Sequence, residues 1–501
     1  MNDLLQIKGK FQHKKFDKNF YSKNNIPKGK FVTVEHIADL KNDIDQLYDY
    51  WSKENLIDGA LVSVYYKSVV AKSNRIKGLL LEKSGDPNEL IRGSRFTDEK
   101  NPKHIFTYYV SLNALKESSN RLEQCINYIN IKYHGIITNE DIELINNKEV
   151  EYDGANLAKS NFLKIIVDCY YVERLDVDRD NREDNNKSLI TLYKTNIDTR
   201  TLLAKLGIDL IKDKMLDETT VRLDPGEYEI LKQKAPYLIA MQTYDISQLT
   251  IDDTYPCDSV KQNIPEPSNE PTIGVIDTLF DEKVYFNKWV TYQKLVDEEI
   301  ITDIDDCFHG TAVSSIIVDG PNLNPELDDG CGRFRVKHFG VATRGFFSAF
   351  SILKQIRVIV NNNKDIKVWN LSLGSALPIS NNFMSPEAAE LDKIQTENDV
   401  IFVVAGTNKL DKEKGLVKIG APADSLNSLV VNSVNSNNEP ASYHRVGPVL
   451  SFFHKPDISY YGGDDDRKIK VCWSFGEVFV KGTSFAAPWI ARKLAYLVYR
   501  M

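Results

Sequence analysis

No apolar run in this 501-residue chain approaches the ~18 residues needed to cross a membrane. The first twenty residues, MNDLLQIKGKFQHKKFDKNF, hold no uninterrupted apolar stretch behind their basic residues, so no secretory leader is read there. The expectation is a cytoplasmic protein with no membrane partner. Cysteine is sparse: Cys125, Cys169, Cys257, Cys307, Cys331 and Cys472 lie scattered, without the density of a secreted disulfide framework, and are expected as free thiols. No CxxC or HxxxH pair occurs, which removes the usual ligand spacing of a structural zinc site; no metal and no other cofactor is expected. A basic field is missing too. Lys and Arg number 63 against 71 Asp and Glu, a formal charge of -8, which speaks against nucleic acid as the main partner.

The chain does have enough apolar residues to build cores. With 42% hydrophobic and 27% charged residues it has the composition of a soluble globular protein, and its length suggests two or three domains. Residues 1–30, rich in Lys and Asn, read as a mobile arm. Thr33 then caps a helix whose Ile37, Leu40, Ile44, Leu47 and Trp51 recur at steps of three and four. Strand-like runs follow at Ala60–Ala71 and Ile105–Val110, the second leading into a helix carrying Leu115, Leu122, Ile126 and Ile129. From Phe162 to Thr243, FLKIIVD, LITLY and YLIAMQT read as strands, and DTRTLLAKL and PGEYEILKQK as helices. Residues 31–160 and 161–249 are therefore expected as two α+β regions, and VDRDNREDNNK (Val177–Lys187) as a solvated loop. The stretch Thr250–Pro271, rich in Pro, Asp and Ser, reads as an interdomain linker.

Beyond it, residues 272–501 alternate short buried-strand runs (TIGVID, VKHFGVA, KVWNLSL, DVIFVVAG, SLVVNSV) with helical patterns. Continuous apolar runs of this kind predict an α/β domain with a doubly wound, mostly parallel sheet, whose site lies beyond the carboxyl ends of its strands. Three segments carry chemistry there: GVIDTLF around Asp277, FHGTAVSSII around His309, and KGTSFAAPWIARKLAYL around Ser484. A serine hydroxyl needs a neutral imidazole to take its proton during attack, and that imidazole needs an acceptor on its other nitrogen. His309 and Asp277 are suited to those roles. Ser484 sits at the start of an apolar helix, whose free amides help bind a developing anion, with Pro488 expected in the first turn. Singly, each segment has a plainer reading: a strand-end Asp capping a turn, a loop histidine, a helix cap. The conjunction in the order Asp, His, Ser favours chemistry.

From Thr272 to Met501 the sequence resembles the subtilase family of serine peptidases. The resemblance implies a subtilisin-like fold and a catalytic triad of Asp277, His309 and Ser484. It also implies that Ser372, Leu373 and Gly374, within NLSLGS, form the strand that pairs with an extended peptide substrate. IGAPADSLNSLVVNSV, EPASYHRVGP and KPDISYYGG are similar to further family segments. The family's Ala-Gly-Asn turn departs here to VVAGTN (Val403–Asn408), so Asn408 is taken as the oxyanion donor with Thr407 as the competing position. The chain also ends soon after the nucleophile helix, where many family members continue. Residues 161–249 are propeptide-like in this light. GALVSVYYKSVVAKSNRI through KHIFTYYV is similar to bacterial cytoplasmic subtilases paired with an AAA-type ATPase in plasmid maintenance and antiviral defence. The expectation is thus an intracellular serine endopeptidase held in check by its N-terminal region or an AAA-type ATPase partner. A catalytically silent subtilase fold that binds peptides is the alternative, and an ester hydrolase is a further rival.

Overall fold

In the computed structural model, residues 24–500 are described apart from 83–86, 98–100, 155–156, 179–188, 212–213, 244–245, 249–254, 257–262, 297–301, 344–345, 381–383, 411–412, 414, 448 and 450–452. Most of the arm expected over residues 1–30, most of the loop Val177–Lys187 and much of the linker expected over 250–271 lie outside the described residues. One compact unit ends at Gln242 and a second begins at Thr243.

In the first unit, the helix Val34–Trp51 starts where Thr33 accepts a bond from the His36 amide, and it buries Ile37, Leu40, Ile44, Leu47 and Trp51. It packs on the helix Leu112–Tyr133. An antiparallel sheet runs Ile91–Phe96, His104–Val110, Ala60–Tyr66, Val172–Asp176 in spatial order. FLKIIVD, expected as a strand, lies instead in the helix Lys159–Tyr171. Its Phe162, Leu163, Ile165, Ile166 and Val167 are all buried, and a continuous apolar run does not distinguish a buried helix from a buried strand. The division placed between residues 160 and 161 falls inside this helix, and one core runs from Ile26 to Ile239.

The second unit holds the sheet expected for residues 272–501. Its elements are β1 (Thr272–Thr278), β2 (Val290–Lys294), α1 (Phe308–Leu323), β3 (Arg335–Ala342), α2 (Ala349–Asn361), β4 (Val368–Leu371), α3 (Pro386–Asn398), β5 (Ile401–Ala405), β6 (Leu429–Val434), β7 (Ile458–Tyr461) and α4 (Thr483–Arg500). The strands lie in the order β2-β3-β1-β4-β5-β6-β7, and every neighbouring pair is parallel. This is a doubly wound α/β domain, and the first unit is α+β. Alternation along the strands sends Val275, Val336, Val403 and Val431 into one cluster with Ala312, Val313 and Ile316 of α1 and Ala486 and Ile490 of α4. The opposite alternation places Trp369 between Phe339 and Phe402. Gly274 is needed there, because a Cβ on it would come within 2.2 Å of the Trp369 ring. Two short antiparallel pairings precede β1 in the chain: Ile246–Gln248 with Phe346–Ser348, and Tyr255–Pro256 with Val478–Phe479. The second falls within the expected linker.

Candidate active site

Parallel strands align their carboxyl ends, and the chemistry-bearing residues follow those ends: Asp277 in the last turn of β1, Ser372 just after β4, Thr407 and Asn408 just after β5. Asp277 is fully buried and its Oδ1 lies 2.6 Å from His309 Nδ1. The Thr278 amide donates to the same oxygen at 2.7 Å. A carboxylate accepts, so His309 Nδ1 carries the proton and Nε2 is left as the base. His309 sits in the first turn of α1, which lies close against β1; a Cβ on the next residue, Gly310, would meet the Thr278 carbonyl at 2.6 Å.

Ser484 is the second residue of α4 and half-buried. Its Oγ donates to the Ser372 carbonyl at 3.4 Å, and no hydrogen bond joins it to His309. The next residue, Phe485, has its ring 5.8 Å from the His309 ring, so the helices carrying His309 and Ser484 are neighbours. Pro488 is one turn deeper into α4 than expected. It has no N–H to offer the Ser484 carbonyl, its partner four residues back, and that carbonyl instead accepts from Ser372 Oγ at 3.3 Å. Ser372 is held in turn by Asn370 Nδ2 at 3.0 Å, and Ser375, just past Gly374, donates to the Ala421 carbonyl. Ser372 and Leu373 are buried and Gly374 is half-buried.

Asn408 and Thr407 are separated by what their side chains do. Asn408 Oδ1 accepts from both the amide and the hydroxyl of Thr483, at 3.0 and 2.9 Å, which orients the side-chain amide beside the residue preceding Ser484 and leaves Nδ2 as its donor. Nδ2 faces Gly482, 3.1 Å from where a Cβ would stand. Thr407 has φ 64°, a left-handed conformation costly for a β-branched residue. Its hydroxyl donates to the Gly406 carbonyl and accepts from the Gly420 amide at 2.9 Å, so it serves the loop.

Residues 268–500 match the subtilase family, Peptidase_S8. The matched residues are just under half of the chain. No curated protein matches the sequence. Among solved structures, the chain is similar to the epidermin leader peptide processing serine protease EpiP of Staphylococcus aureus, at 17% identity over 62% of this chain and 87% of that one, with a TM-score of 0.41. It is similar to the nisin leader peptidase NisP of Lactococcus lactis, at 18% identity over 47% and 79% of the two chains, TM-score 0.37. A third is the patellamide maturation protease PatA, at 18% identity over 46% and 78%, TM-score 0.35.

Sequence reasoning about residues 272–501 missed His338, Ser314 and Thr278, buried polar residues beside the Asp277–His309 pair. A histidine interrupting the apolar run VKHFGVA was the available signal. Among the described residues, no group of three or more His, Cys, Asp or Glu is placed to hold a metal ion, and no helix is long and apolar enough to cross a membrane. The five described cysteines are unbridged, and Cys257 lies outside the described residues.

Proposed function

We propose that this protein is a serine endopeptidase that cleaves peptide bonds through an acyl-enzyme. Ser484 is the nucleophile, His309 the general base and then acid, Asp277 the residue that orients His309, and Asn408 a donor to the oxyanion. The observation that carries this reading is the 2.6 Å bond from a fully buried Asp277 to His309 Nδ1, which leaves Nε2 as base within the match to the subtilase family. For attack, Ser484 Oγ must leave the Ser372 carbonyl and donate to His309 Nε2. Its proton passes to Nε2 as Oγ bonds the peptide carbonyl carbon. Asn408 Nδ2 and the amides opening α4 bind the oxyanion, and Nε2–H then protonates the leaving amine. Ser372–Leu373–Gly374 offers backbone for an extended peptide.

The pairing of Ile246–Gln248 with Phe346–Ser348 supports restraint by the chain's own preceding segment. It follows the carboxyl end of β3 in the chain and shows that this backbone accepts an added strand from the segment before residue 250. A cytoplasmic location, an AAA-type ATPase partner and a role in bacterial defence or plasmid maintenance rest on the resemblance of the N-terminal segments. The silent peptide-binding reading draws support from the Ser484–Ser372 bond.

Reaction of the full chain with a fluorophosphonate probe, comparing wild type with Ser484→Ala and adding digestion of an unfolded protein, separates these readings. Ser484-dependent labelling with peptide cleavage is expected. Labelling with ester turnover but no peptide cleavage would favour the ester hydrolase, and no labelling even after removal of the segment before residue 250 would favour the silent module.

A further inference from the structure

His338 stands on β3 with its ring fully buried. Its Nε2 meets the Thr278 carbonyl at 2.8 Å, and since a carbonyl accepts, Nε2 carries the hydrogen. Burial holds this imidazole below its ordinary pKa, so the ring is neutral and Nδ1 is an acceptor. Ser314 Oγ donates to it at 2.9 Å. The two partners belong to the two catalytic elements. Thr278 follows Asp277 on β1, and its amide holds Asp277 Oδ1. Ser314 lies on α1, five residues after His309. A second link runs parallel to this one: Thr278 Oγ1 accepts from the Gly310 amide at 2.9 Å. Phe280 and Tyr292 pack against the imidazole, with ring centres 5.5 and 5.6 Å away, and a Cβ on Gly310 would stand 2.8 Å from its Cε1, so the ring has little freedom.

We propose that His338 is a positioning residue that sets the Asp277–His309 pair by bridging the Thr278 carbonyl of β1 to the Ser314 hydroxyl of α1. This rests on the serine-peptidase reading above. Nothing else in the site explains why a polar ring is kept in an apolar layer. A buried ring with one donor and one acceptor, both spent across the gap between two catalytic elements, fixes their spacing in a way that a hydrocarbon side chain cannot. His338 does not reach the substrate; it acts through the geometry of its two neighbours.

The test compares His338→Gln, whose amide has both a donor and an acceptor, with His338→Phe, which fills the space and makes neither bond. In the full chain, His338→Phe is expected to slow fluorophosphonate labelling of Ser484, and kcat on a peptide, by on the order of 10²-fold with KM little changed. His338→Gln is expected to retain most of the rate. Ser314→Ala removes one arm alone, and about a tenfold loss is expected; it serves if His338→Phe does not fold. A readout independent of turnover is the downfield proton resonance of His309 Nδ1–H in the Ser484→Ala background, identified by its loss in His309→Gln. It should persist with His338→Gln and shift or vanish with His338→Phe. Wild-type labelling by His338→Phe, or slowed labelling with that resonance unmoved, overturns the proposal. If the wild type never labels, the peptidase reading fails while the resonance still decides whether His338 holds the pair.

Discussion

Arg492 offers a direct test of how the second unit is held together. It lies on α4 two turns beyond Ser484, fully buried, and forms a two-pronged pair with Asp329: Nε to Oδ2 at 2.9 Å and Nη2 to Oδ1 at 2.8 Å. Nη2 also donates to the Gly332 carbonyl and Nη1 to the Ile317 carbonyl, each at 2.6 Å. The last bond has a specific cause. Ile317 is on α1 just before a kink at Asp319, and Pro321 beyond the kink has no N–H to return, so Arg492 takes up the carbonyl that the break leaves. Replacing Arg492 by Met leaves the Asp329 carboxylate, whose side chain is 0% exposed, without its cation. Breaking a buried pair from one side costs about 3–5 kcal/mol. At about 2–4 °C per kcal/mol for a domain of this size, the melting temperature should fall by roughly 10 °C. Four of the five tryptophans, Trp289, Trp369, Trp473 and Trp489, lie in the second unit, so tryptophan fluorescence follows the relevant transition.

The same pair has a pH signature. Burial pushes the Asp329 carboxyl up, but Arg492, with the Cys331 amide and Lys493, outweighs it and the group is held below its ordinary value. In the wild type this depressed pKa contributes stability that is present above the unfolded value of 3.8 and lost as pH falls through the folded value. Without Arg492, burial is opposed only by the Cys331 amide and the Lys493 charge, so the carboxyl pKa moves up from its wild-type position. The folded variant then gains relative stability as pH falls and the acid takes up its proton. The deficit of Arg492→Met should therefore be larger at pH 8 than at pH 5, and Arg492→Met with Asp329→Leu should recover part of it. A melting temperature within about 2 °C of wild type, a deficit independent of pH, or a double variant worse than the sum of the singles would refute the reasoning.

Asn408→Ala is expected to lower kcat/KM by about 10²–10³, the range known for loss of the side-chain oxyanion donor in subtilisin, while Thr407→Ala should cost less than about tenfold. Equal losses on a peptide substrate would reverse the assignment of the two positions. In the N-terminal unit, His104 accepts from the Val70 amide beneath the rings of Phe96 and Phe106, and burial with Arg75 nearby lowers its pKa to about 4. Its stabilising contribution is complete above the unfolded value of 6.5 and is lost as pH falls from there toward about 4. His104→Gln should flatten the fall in melting temperature between pH 7 and pH 4.5, and an unchanged slope would refute it.

Much of this was legible where local pattern and tertiary role agree. The Thr33-capped helix, the strands TIGVID and VKHFGVA, and the parallel C-terminal sheet were readable because apolar periodicity and strand-end placement point the same way. FLKIIVD was not, because its burial on nearly every side erased the period that marks a helix. The pairing of Ile246–Gln248 with Phe346–Ser348 joins segments a hundred residues apart and leaves no local signature.

The two prolines show why site detail resists a sequence reading. Read locally, a proline in a helix such as Pro321 or Pro488 is only a missing donor. In the fold each freed carbonyl becomes a docking point: the Ile317 carbonyl takes Arg492 from α4, and the Ser484 carbonyl takes Ser372 from the strand segment after β4. The helix carrying His309, the helix carrying Ser484 and the segment expected to meet substrate are thus joined through bonds that uninterrupted helices would have spent internally. Polar atoms left unpaired inside one element must find partners elsewhere or be desolvated at a cost of ~1–3 kcal/mol each. Here the partners are the other elements of the candidate site, so the same two interruptions that weaken the helices locally also set their mutual positions.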